Sequence, residues 1–147
     1  MPTLFDDAAC GAIRARLDRL SPETTPRWGK MNAGRMVAHV SDQLRSALGD
    51  LPCKPKPTPF KNPLMQRLVI YVLPWPKGAP TAPELLSTQA GDWDADMASL
   101  RALIDRFTAL GPAGPFSEHP AFGNLNGRMW GVLAWRHLDH HLRQFGA

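Results

Sequence analysis

Residues 125–146, LNGRMWGVLAWRHLDHHLRQFG, decide the fold. They read as one amphipathic helix, with Asn126 as N-cap and Gly146 just past its end. At about 100° per residue the inner stripe carries Trp130, Ala134, His137, His141 and Phe145. Asp139 points the opposite way, and Arg128, Arg136 and Arg143 lie on the outer side. Two imidazoles one turn apart on a core-facing stripe need partners, because buried polar groups are costly when unsatisfied. Two explanations compete: a bound metal ion, or a pair of hydrogen-bonded core histidines.

Working outward, three more amphipathic helices precede this one. The first covers residues 6–20, with Ala9, Ile13, Leu17 and Leu20 on one face and Ser21-Pro22 as its stop. The second covers residues 32–48, capped by Asn32 and stopped by Gly49. Its apolar arc holds Met36, Val37, Val40, Leu44 and Ala47. His39 sits at the edge of that arc, beside a polar column of Asp42, Gln43 and Ser46. The third covers residues 92–110, with Met97, Leu100, Leu103, Ile104, Phe107 and Leu110 inward and Gly111-Pro112 as its end.

The connections differ in kind. SPETTPRWGKM, residues 21–31, carries Trp28, an aromatic expected to dock on the core. DLPCKPKPTPFKNP, residues 50–63, is too proline-rich for regular structure and long enough to cover a site. LMQRLVIYVL, residues 64–73, is a short apolar segment, predicted helical because no other stretch offers it a strand partner. Residues 74–84 are expected to be extended. GPAGPFSEHPAFGNL, residues 111–125, is a second long loop, and His119 in it has either a loop-packing or an active-site role. Together these elements predict one all-α domain, residues 1–147: a four-helix bundle with a long Pro-rich crossover between its second and third helices.

Composition narrows the function classes. Charged residues make up 20% of the 147, and the net charge is +4 without a dense basic run, so nucleic-acid binding is not expected. The longest apolar run, LVIYVL, is too short to span a bilayer. The N-terminal residues lack the basic and apolar regions of a signal peptide. Cys10 and Cys53 form no disulfide or metal-binding pattern. A soluble cytoplasmic protein is the expectation.

The chemistry rests on histidine. Positions i and i+4 on a helix lie about 6 Å apart, so His137 and His141 can turn onto one cation. The spacing matches that of zinc proteases, but the glutamate of their motif is missing and Asp139 faces away. His39, on a second core-facing helix, is the natural third ligand. Three His ligands leave an open position, as catalytic sites do. His140 is offset by about 100° and is read as exposed or as supporting the site. Gln43, Asp42, His140 and His119 are the candidates for supporting the metal or handling protons, with Trp130, Trp135 and Phe145 as apolar walls. Imidazoles suit zinc, nickel and iron alike, so the metal is not named.

WGKMNAGRMVAHV around His39, PWPKGAPTAPEL in the middle, and HPAFGNL followed by HLDHHLRQFG resemble the DinB/YfiT-like superfamily, in particular an uncharacterised branch of it with no assigned activity. The resemblance runs from about Trp28 to the end. It implies a four-helix bundle, a divalent metal held by His39, His137 and His141, and a homodimer; the apolar outward positions Val132 and Trp135 would suit either a dimer or a neighbouring loop. Relatives include thiol-dependent transferases or isomerases that use small cellular thiols, and hydrolases. A metal-dependent transferase or hydrolase is therefore one expectation. A non-catalytic ligand-binding or scaffolding bundle is the other.

Overall fold

The structure, a computed structural model, describes residues 1–78 and 83–147. Among them are five α-helices and no strands: α1 (Asp7–Leu17), α2 (Ala33–Leu48), α3 (Pro63–Arg67), α4 (Trp93–Leu110) and α5 (Gly127–Gln144). The chain is all-α. The helix ends follow local chemistry. Asn32, Asp92 and Asn126 each accept a backbone N–H three residues on, and Gly49 closes α2 with φ 83°.

α2 is the central element. It packs against α4 and α5, while α1 packs on α5. Met36, Val37, Val40, Leu44 and Ala47 meet Leu100, Ile104, Phe107, Trp130 and Leu138 in one shared apolar cluster. Truncating one of its large members, such as Phe107 to Ala, costs about 3–5 kcal/mol. The polar column of α2 is buried too, Asp42 completely so. Asp42 is satisfied by Arg45, by the Thr88 hydroxyl at 2.6 Å and by the Thr88 N–H at 3.2 Å. Leu110, expected inside, is exposed at the helix end.

Several connections depart from the sequence-based expectation. Residues 50–63 hold a single 3₁₀ turn, Pro59–Lys61, and Pro63 opens α3. This loop lies on the 117–124 loop, where Lys56 N–H donates to Pro120 O and Thr58 to Ala121 O. Its prolines leave few donors, and those few find carbonyls there. Residues 64–73 are helical as expected, but α3 widens into a π-turn at Leu68–Val72. Arg136 donates to the carbonyls of Val69, Ile70 and Leu73, which the helix end leaves without intrahelical partners. Pro83–Leu86 is a 3₁₀ turn, not extended chain; residues 79–82 lie outside the described residues.

The outward positions of α5 are covered within the chain. Val132 is buried, and a Cβ on Gly131 would run into the Phe5 ring. Arg16 of α1 binds Asp139 at 2.7 Å. Val132 is therefore no free apolar face. Among the described residues no helix is long and apolar enough to cross a membrane.

Candidate metal centre

α2 and α5 bring His39, His137 and His141 together. One ring nitrogen from each lies within 4.8 Å of the other two. The ring centroids are 4.8–4.9 Å apart, every pair edge to face. His39 Nε2 and His137 Nε2 are 3.0 Å apart. Two nitrogens on one tetrahedral zinc stand about 3.3 Å apart, so the spread suits a common ion.

The backbone and one amide pin two of the three tautomers. His39 Nδ1 lies 2.8 Å from the Leu85 carbonyl, which can only accept, so Nδ1 carries the proton and Nε2 keeps its lone pair. Gln144 Nε2 donates to the Trp28 carbonyl at 2.8 Å, which turns Oε1 toward His141 Nδ1, also at 2.8 Å. His141 Nδ1 must then donate, and its Nε2 is bare. These are the outer contacts that orient imidazole ligands elsewhere. His137 lacks one: its Nδ1 is shielded and has no partner among the described residues.

Burial sets the protonation. It lowers His39, holds His137 well below the usual imidazole range and lowers His141 to about 3. The neighbouring imidazoles add to this for His137 and His141. All three are neutral near pH 7, the state in which imidazole ligates.

The segment after residue 82 is tied down to present Leu85. Arg35 donates to the carbonyls of Leu86 and Thr88 at 2.5 and 2.8 Å, and Asp42 takes Thr88 from the other side. Asp42 thus holds the segment that carries Leu85. Its oxygens are already engaged. Gln43, one turn after His39, is buried, and its Oε1 is shielded with no partner among the described residues. His119 serves its own loop: Nδ1 accepts from Ala121 and Phe122 N–H, both at 3.1 Å, and the ring packs on Trp130. His140 is partly buried and meets His141 at 5.3 Å, so it borders the triad. Asp139 faces away, as expected, and pairs with Arg16 and Arg143.

The aromatic walls also differ from expectation. Trp130 is buried beside Phe116 and donates to the Ser117 carbonyl; Trp135 packs against the core. The rings near the histidines are instead Trp75, 6.2 Å from His137, and Trp28, 5.9 Å from His140. Trp28 was expected in the core. It stays outside because its backbone is held to the end of α5: Arg27 N–H donates to Gln144 O, and Gly29, at φ 79°, passes Gln144 too closely for a Cβ. Two surface clefts, one between α1 and α4 and one beside Gln66 and Asn124, do not border the triad.

Sequence reasoning missed Gln144, the Leu85 carbonyl and Trp75. Gln144 alone left a signal, three residues after His141 and so on the same helix face.

The fold and the site define a helical protein in which three histidines, two buried and one partly buried, are positioned to hold a metal ion. The chain belongs to the family described as "Protein of unknown function (DUF1569)", which matches residues 5–147. No curated protein and no solved structure matches.

Proposed function

We propose that this chain is a divalent-metal protein of the DinB/YfiT-like kind, a four-helix bundle of α1, α2, α4 and α5, and that its metal serves catalysis on a small molecule. His39, His137 and His141 hold the ion. The observation that carries the reading is the pinned tautomers. Leu85 O and Gln144 Oε1 each take an Nδ1 proton, so that Nε2 of His39 and of His141 are both left bare. The alternative, a hydrogen-bonded core, accounts for the 3.0 Å contact between His39 and His137. It gives His141 Nε2 no donor among the described residues, and a metal ion would take up that lone pair.

An ion held by three imidazoles supplies Lewis-acid activation of a water or a thiol at neutral pH. The rest belongs to the chain. Leu85 O and Gln144 keep two rings aimed, Trp75 stands beside His137, and Gln43 offers an amide oxygen that has no partner among the described residues, one turn from His39. Thiol transfer or hydrolysis fits this set, with zinc, nickel or iron as the ion. A cytoplasmic homodimer acting on a small cellular thiol completes the proposal.

The test is elemental analysis of untagged protein, beside His39→Ala and His137→Ala. One equivalent of a transition metal in the wild type, lost in both variants, is the expected result. No metal after reconstitution with zinc, nickel and iron refutes the metal reading.

A further inference from the structure

Two tryptophans from separate connections stand around His140. The Trp28 ring meets it edge-on at 5.9 Å, and Trp75 lies 6.4 Å from it. Both tryptophans are partly buried, and both are fixed. Gln144 holds the Trp28 carbonyl, while Trp75 Nε1 donates to Val69 O at 3.2 Å.

Each indole also carries a cation. The Arg136 guanidinium lies 5.0 Å over Trp75, and the Lys77 ammonium 4.7 Å over Trp28. They differ in one respect. Arg136 is engaged by three backbone carbonyls, whereas Lys77 is exposed and has no carboxylate partner among the described residues. Asp139, the carboxylate that acts on His140, is engaged by Arg16 and Arg143. This combination decides the sign of a ligand. Bare indole faces attract cations. Here each ring already has one, so a cationic guest is repelled and an anionic one attracted.

We propose that Trp28, Trp75 and Lys77 form a binding site for a small organic carboxylate with a flat apolar body. The body lies against the indoles beside His140, and the carboxylate is drawn to Lys77. The proposal deepens the metal-site reading: it rests on that reading for making this ligand the substrate, though not for its binding.

Calorimetry on the full chain, stripped of metal with a chelator and again with zinc, tests it. The probes are phenylacetate and phenylacetamide, alike in shape and different in charge. In stripped protein phenylacetate should bind more tightly. Lys77→Glu should weaken it by roughly fivefold and leave the amide unchanged. Trp28→Leu, at a site outside the core cluster, should weaken both probes. Equal binding of the two probes, or none, overturns the proposal. Phenylacetate that binds only with zinc and ignores Lys77→Glu is ligating the ion directly; that overturns the rim site and leaves the metal reading intact. If the chain takes up no zinc yet phenylacetate still follows Lys77, the metal reading fails and the rim site stands.

Discussion

Gln144→Leu is the substitution whose consequences follow most directly from the geometry. The side chain is buried and makes two hydrogen bonds of 2.8 Å, one accepting from His141 Nδ1 and one donating to the Trp28 carbonyl. Leucine fills a similar volume and makes neither. Two hydrogen bonds at about 1 kcal/mol each, with two polar groups left unpaired, amount to about 2–4 kcal/mol of stability. A domain of this size has about 5–15 kcal/mol, so the variant still folds. The metal should feel the change separately. Losing an outer partner of a ligating histidine lowers affinity about 10–100-fold, equivalent to about 1.4–2.7 kcal/mol. The assay is zinc competition against a chromophoric chelator, beside urea denaturation of the metal-free form. Gln144→Glu separates the two contacts. It keeps an acceptor for His141 but sets a carboxylate against the Trp28 carbonyl, so zinc affinity should hold while stability falls. Wild-type zinc affinity in a folded Gln144→Leu protein would refute the assignment of His141 Nε2 as an oriented ligand.

Three further outcomes follow from the same structure. Burial lowers the His119 pKa from 6.5 to about 4, so the unfolded chain binds the extra proton first and stability is lost as pH falls from 6.5 toward 4. His119→Asn keeps an acceptor for the 121–122 amides without the titration, and urea midpoints between pH 4 and 8 should fall less steeply for it. Asp42→Ala frees the Thr88 hydroxyl and N–H and leaves Arg45 unpaired. It should cost about 2–4 kcal/mol in denaturant titrations and, by loosening Leu85, lower zinc affinity as well. In Gly127→Ala the new methyl falls on the Pro112 carbonyl, a backbone group with little freedom to move. Thermal unfolding should register a loss of about 1–3 kcal/mol.

Much of the helical framework was legible in the chain. The spacing of Met36, Val40, Leu44 and Ala47, or of Leu100, Ile104 and Phe107, is a local property, and Asn32, Asp92, Asn126, Gly49 and Gly146 mark ends through their own backbone chemistry. The histidine pair was legible for the same reason, since i and i+4 share a helix face whatever surrounds them. Trp28 and Trp75 were harder. Both sit in proline- and glycine-punctuated connections without periodicity, where the partner of a ring depends on where distant segments arrive. An aromatic beside a glycine in a connector is expected on the core, and for Trp28 a hydrogen bond from Gln144, far along the chain, overrides that preference.

By itself, then, the sequence determined the helices, their apolar faces and the two imidazoles of α5, because each of these is set by residues a few positions apart. Only the tertiary structure decided that His39 reaches that pair, that Leu85 O and Gln144 turn two lone pairs inward, and that Asp42 steadies the connection behind Leu85. Those outcomes depend on hydrogen-bond distances between segments tens of residues apart, and such distances exist only once the helices have packed.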